Sequence, residues 1–298
     1  MKIKMIMCLL MVLFLLIACQ TDRGIDETEE VDLVQEDPKE DTSENEIKET
    51  TDSKVTDLLA SIQKKKETDL TEYEGRTATE WGENVTGVKT RLNTEEQVIA
   101  LTFDACGGPY GGEYDEELIS FLREEEIPAT LFINKRWILS NEAIFQELVA
   151  NPLFEIENHG SDHLPLSIDG NEAWGIEGTT SIEEIVEEVL ENQIAIAEFT
   201  KVEPTFFRSG TAFYDEVAVE IVEKLGLQVV NFDVLGDAGA TFSAEQVHQA
   251  LMGAQPGSIA LLHMNQPSSG TAEGVKRAVK GLLDEGYEFV TLSQYDLN

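Results

Sequence analysis

Two of the four histidines in this 298-residue chain, His159 and His163, stand four apart in the run Glu155-Ile-Glu-Asn-His-Gly-Ser-Asp-His163. Imidazoles one helical turn apart share a face and can reach a single metal ion. Histidine also serves as a polar loop residue, so the pair gains its meaning from the other chemical residues. Asp104 ends the apolar run Val98-Ile-Ala-Leu-Thr-Phe103 and meets Gly107-Gly108. Arg208 follows Thr205-Phe-Phe207, and His263 closes Ile259-Ala-Leu-Leu262. Each is expected at the C-terminal end of a strand, the end at which parallel barrels and doubly wound sheets assemble their sites. Four separate chain positions would then converge on one mouth around a candidate metal site.

The elements that must position these residues can be read from the pattern. Short apolar, β-branched runs predict strands at 98–103, 129–133, 154–157, 205–208, 229–234, 259–263 and 289–292. Amphipathic segments predict helices at 115–125, 141–150, 181–199, 215–225, 243–252 and 272–285. The alternation argues for repeated βα units around a parallel sheet. Ser181-Ile-Glu-Glu184 and Ser243-Ala-Glu-Gln246 are capping-box patterns, and Gly226 and Gly286 stand where a helix C-terminus needs glycine. The length from 81 to 298 is short for a full eight-stranded barrel of about 250 residues, so a distorted, incomplete (β/α) barrel of about seven strands is expected. No dinucleotide fingerprint or Walker sequence occurs.

Ahead of this domain the chain opens on Met1-Lys-Ile-Lys4 and stays apolar to Ala18, too short to span a bilayer, which takes roughly 17–25 residues. Residues 1–18 read as a signal peptide. Leu16-Ile-Ala-Cys19 resembles a bacterial lipobox, whose cysteine is acylated. The expected location is therefore the extracytoplasmic face of the cell membrane, with the membrane contacted through the lipid anchor alone. Residues 19–80 are acidic and poor in aromatics, and read as a disordered tether with a short helix near 55–66. With Cys8 removed and Cys19 lipidated, Cys106 is the single mature thiol. A formal net charge of −37 argues against a nucleic-acid partner.

The motifs together resemble the polysaccharide deacetylase (NodB-homology) domain of carbohydrate esterase family 4. Thr102-Phe-Asp104 is similar to its first motif, His159-Gly-Ser-Asp-His163 to its second, Phe207-Arg208-Ser-Gly210 to its third and Leu261-Leu-His263 to its last. The resemblance implies a distorted (β/α) barrel that removes N-acetyl groups from polymeric amino sugars with a divalent metal, usually zinc. The substrate would be an N-acetylated glycan such as peptidoglycan or a related wall polymer. Amide hydrolysis needs an activated water, a stabilised oxyanion and a proton for the departing amine. By resemblance, Asp104 matches the general base, His159 and His163 the metal ligands, and His263 the general acid. Arg208 matches the arginine that orients the base, and Thr211 falls where a backbone N–H contributes to the oxyanion hole. Asp233 and Asp237 are both candidates for the carboxylate that pairs with Arg208 or tunes His263.

One departure stands out. Where the family has a second, ligating aspartate, this chain has Ala105. Asp104 itself, Glu157, Asp162 or Cys106 could make up the lost donor. Cys106 is one residue along, so its side chain is expected to point elsewhere, and a small buried residue at a strand end is its more ordinary reading. Ala105 motivates an alternative, a non-catalytic glycan-binding lipoprotein that has lost a metal ligand; a deacylase of another amide is a third reading. Trp81, Trp137, Trp174 and Tyr214 could stack on sugar rings or simply pack.

Overall fold

The computed structural model describes residues 42–298, with side chains from residue 53 onward. The expected signal peptide, Cys19 and the first part of the tether lie outside the described residues.

Eight strands form one parallel sheet: β1 (Val98–Ala105), β2 (Ala129–Ile133), β3 (Phe154–Asn158), β4 (Phe206–Phe207), β5 (Gln228–Val229), β6 (Val234–Leu235), β7 (Ser258–His263) and β8 (Glu288–Val290). Seven follow the order β5-β4-β3-β2-β1-β7-β6, and β8 pairs with the first half of β1. Helices α2 (Glu116–Glu124), α3 (Lys135–Ser140), α4 (Glu142–Val149), α5 (Ile182–Thr200), α6 (Glu216–Lys224), α7 (Ala244–Met252) and α8 (Thr271–Asp284) alternate with the strands. The sheet curls into the distorted, incomplete barrel that the alternation of elements led us to expect.

The expected strand at 229–234 is split into β5 and β6. Between them the Asn231 backbone N–H donates to Lys89 (2.7 Å), and its side-chain amide holds the carbonyls of Glu83 (2.6 Å) and Ala212 (2.9 Å). Residues 89–92 bridge to Val230, Ser258 and Leu297 across this break. The apolar run is therefore continuous in sequence but changes partners halfway.

All of β1 is buried, as a central parallel strand should be. Its alternation sorts the side chains. Ile99, Leu101, Phe103 and Ala105 join the cluster formed with Leu118, Ile133, Trp137 and Val275. Val98 and Ala100 join Phe132, Phe206 and Ile259 on the other face, which Thr102 and Asp104 continue. The helices start as their caps predict: Asp115 accepts from Leu118 N (3.0 Å), and Ser243 with Gln246 closes a full capping box. At α5 the box is half made, because the Glu184 carboxylate turns to Thr180 N while Ser181 accepts from Glu184 N.

The expected tether is corrected from residue 42 onward. Helix α1 (Thr42–Lys64) and the turns after it dock onto α5 and α6: Ile62 and Tyr73 are buried, and Leu58, Leu59 and Leu70 pack beside them against Val189, Val217 and Val222. Ion pairs Lys65–Glu203, Lys66–Glu191, Arg76–Glu220 and Lys224–Glu72 line the contact. Composition averaged over 19–80 conceals this, because the apolar residues gather near its end, with Leu58, Leu59 and Ile62 at helical spacing.

Candidate active site

The C-terminal ends of β1, β3, β4 and β7 bring the expected residues to one place. Asp104 pairs in register with His263 across β1 and β7. Its Oδ1 accepts from Arg208 Nη1 at 2.8 Å, and its Oδ2 lies 3.7 Å from His159 Nε2. Arg208 is fully buried, and four of its five N–H donors are held by this framework. It also reaches Thr102 Oγ1 (2.8 Å), Val230 O (3.1 Å) and Asn231 O (3.0 Å), with its guanidinium 4.2 Å from the Phe132 ring centre. A guanidinium fixed by this many acceptors orients one carboxylate rigidly. Neither Asp233 nor Asp237 pairs with Arg208; Asp104 takes that place.

His159 and His163 face each other edge to plane, ring centres 5.1 Å apart. They do so from a loop, since β3 ends at Asn158 and His163 adopts a left-handed backbone with φ 65°. The loop is held from below. Asn134 donates to the carbonyls of His159 (2.9 Å) and Gly160 (2.8 Å), while the Glu188 carboxylate accepts from Asp162 N (2.7 Å) and Leu164 N (3.1 Å). Burial pushes the Glu188 carboxyl up to about 7, although these backbone donors oppose it. Glu188 and Asn134 were missed in the sequence, since Glu188 reads there as one more charge on an acidic helix. His159 Nδ1 donates to Arg208 O at 3.0 Å, which leaves Nε2 as an acceptor. His163 Nε2 is buried without a hydrogen-bond partner.

Cys106 joins them, contrary to its expected orientation. Alternation counted from Ala105 points it away, but counted from Asp104 it returns to the site face. Its Sγ is 3.8 Å from His159 Nε2, and the donor atoms of Cys106, His159 and His163 all lie within 4.8 Å of one another. Burial alone would raise the thiol, but the histidines around it outweigh that and hold Cys106 well below its usual range. Two other proposed donors are elsewhere: Glu157 accepts from Thr205 N (2.9 Å) and Phe206 N (2.7 Å), and Asp162 is exposed. An orphaned imidazole nitrogen beside a thiol and a second imidazole fits a divalent ion.

His263 completes the group. Its Nδ1 meets Asp237 Oδ1 at 2.8 Å, and Asp237 Oδ2 accepts from His263 N (2.8 Å) and Thr271 Oγ1 (2.9 Å). Burial opposes charge on His263, but Asp237 outweighs it and raises the imidazole well above its usual value. Asp233 instead binds Arg91, Ser258 and Ile259 N, a structural post. The geometry thus separates the two aspartates that spacing left open. These groups open on a cleft of about 840 Å³ that Thr211, Arg136, Tyr110 and Trp174 also line. Trp174 is 75% exposed at its rim, whereas Trp137 and Tyr214 are fully buried core residues. Trp81 packs against Phe213 at a tilt of 51°, ring centres 5.8 Å apart.

Residues 91–230 match the family model for polysaccharide deacetylase. The chain is 26% identical over 211 residues to a bifunctional xylanase/deacetylase of Pseudobutyrivibrio xylanivorans, covering 70% of this chain and 32% of that one. It spans about a third and somewhat over half of the lengths of the two curated relatives it matches. Among solved structures it is similar to a family 4 acetyl xylan esterase from Clostridium thermocellum in complex with a cobalt ion, with TM-score 0.55, 26% identity, and 66% of this chain and 89% of that chain covered. It is also similar to a carbohydrate esterase family 4 pseudoenzyme from Bacillus anthracis, with TM-score 0.58, 21% identity, and coverage of 69% and 67%. The curled parallel sheet is similar to that of the solved carbohydrate esterase family 4 structures, and residues 91–230 match the polysaccharide deacetylase family model.

Proposed function

We propose that this chain is a metal-dependent hydrolase that removes N-acetyl groups from an amino-sugar polymer, peptidoglycan or a related wall glycan, at the cell surface. One observation supports this reading above the rest: Asp104 held by Arg208, His163, Cys106 and His263 held by Asp237 line a single cleft, with His159 against Cys106 behind it. His159, His163 and Cys106 would hold a divalent ion, which supplies Lewis-acid polarisation of the acyl group and an activated water near neutral pH. Asp104 takes the proton of the attacking water on Oδ2, the oxygen that Arg208 leaves free. The Thr211 backbone N–H, at the cleft wall, donates to the oxygen on which charge develops. His263 then gives the proton of Nε2 to the departing amine, since Nδ1 is committed to Asp237.

Acetate release from N-acetylated oligosaccharides by the metal-loaded protein tests this. Asp104→Asn and His263→Ala should each lower turnover by roughly 10²–10⁴, the usual worth of one acid–base group. The absence of an aspartate at 105 favours a second reading, a glycan-binding module without turnover. A fully loaded protein that binds these oligosaccharides and frees no acetate would establish that reading in place of the first.

A further inference from the structure

Ala105 cannot donate to a metal, and its methyl packs in the apolar cluster with Ile133, Trp137 and Met264. Of the oxygens nearby, Asp104 Oδ2 is free, 3.7 Å from His159 Nε2, but it lies outside the group formed by the Cys106, His159 and His163 donor atoms, and the others are engaged. Asp104 Oδ1 is held by Arg208, Asp237 by His263 and Thr271, and Glu157 by two backbone N–H groups. The Cys106 sulfur is the remaining donor on the histidine side, 3.8 Å from His159 Nε2. In a tetrahedral zinc site, bonds of about 2.3 Å to sulfur and 2.0 Å to nitrogen place those two atoms about 3.5 Å apart. Two features aim the imidazoles at the same point. The Arg208 carbonyl fixes the proton of His159 on Nδ1, and the buried His163 Nε2 has no protein partner.

We propose that Cys106 is the third protein ligand, so that the site is a cysteine–histidine–histidine centre that prefers thiophilic ions, zinc and cobalt(II), over magnesium, calcium and manganese. The inference rests on the reading above that a divalent ion works in this cleft. A thiolate selects borderline and soft ions, whereas a carboxylate in the same role keeps hard ions competitive. It also relieves Asp104 of ligation, so the carboxylate stays on Arg208.

The test is a titration of the metal-free full-length protein with cobalt(II), zinc and manganese(II), in a background carrying Cys8→Ser and Cys19→Ser so that Cys106 is the single thiol. One cobalt per chain should bind with a near-ultraviolet thiolate-to-cobalt charge-transfer band. Cys106→Ser should abolish the band and weaken zinc by more than the roughly 10–100-fold that losing an outer partner costs. Cys106→Asp should recover part of the zinc affinity, without the band, and narrow the gap between zinc and manganese. A cobalt complex that depends on both histidines yet lacks the band overturns ligation by Cys106 and leaves the metal-dependent reading standing. No stoichiometric binding by the Cys106-bearing protein overturns both. The band is read on a protein that retains Cys106, so a variant that does not fold leaves the decision intact.

Discussion

At the scale of single residues, the His263–Asp237 pair sets the pH behaviour. Asp237 keeps His263 protonated well above the usual imidazole range, and His263 in turn helps hold Asp237 below the usual carboxylate range, against the burial that would raise it. The acid form therefore persists through neutrality, and turnover should fall on the alkaline side only as pH passes the raised His263 value. Asp237→Asn should move that alkaline limb to lower pH, measured as kcat/KM against pH. The same pair stabilises the fold most fully between about pH 4 and 6.5, above the unfolded aspartate value and below the unfolded imidazole value. Its contribution is lost to acid as Asp237 protonates and to alkali as His263 deprotonates. The stability cost of Asp237→Asn, read from urea unfolding, should therefore be largest inside that window.

At the scale of elements, the metal loop depends on how closely its neighbours approach. A Cβ added at Gly210 would come within 2.4 Å of the His163 backbone carbon and ring. Gly210→Ala should displace His163, and zinc affinity measured by calorimetry should fall at least tenfold while the sheet remains folded. Most of the elements were legible in the sequence because their signals are local. Ser243 and Gln246 announced α7, the strand at 129–133 matched β2, and Asp104, Arg208 and His263 stood at strand ends as expected. The misses come from an element too short to show a period and from contacts between distant residues. Helix α3 is six residues, too short for a period to show. The break between β5 and β6 depends on Asn231 finding partners at Glu83, Lys89 and Ala212. Glu188 is distant in sequence from the loop it holds, and Cys106 lies just past the end of β1, on the face that Asp104 shares.

At the scale of the molecule, the domain begins earlier than the composition suggested. A chain that starts at residue 81 would expose the apolar surface on α5 and α6 that Ile62 and Tyr73 cover. Losing about 3 kcal/mol of burial lowers the melting temperature of a domain this size by roughly 5–10 °C. Comparing chains that start at residues 53 and 81 by thermal unfolding should show that difference, and equal melting temperatures would mean that the docked segment adds no stability. The proposed anchor is tested separately: Cys19→Ser should move the protein from the membrane fraction to the soluble one, since the acidic chain offers no compensating attraction to anionic lipid.

Docking of residues 54–80 also gives the chain a mechanical order of events. If Cys19 is held in a membrane and the cleft grips a polymer in the wall, tension between them arrives first at α1 and the turns that follow it. The contacts there are surface ion pairs and a few apolar side chains, which can peel one after another, whereas the strands behind them form a continuous parallel ladder. Each residue released adds up to about 3.3–3.6 Å of extended chain, so the segment can pay out on the order of 90 Å before load reaches β1. Under that tension, a stretch that folds against the domain at rest would double as slack, while the side chains of the cleft remain in register.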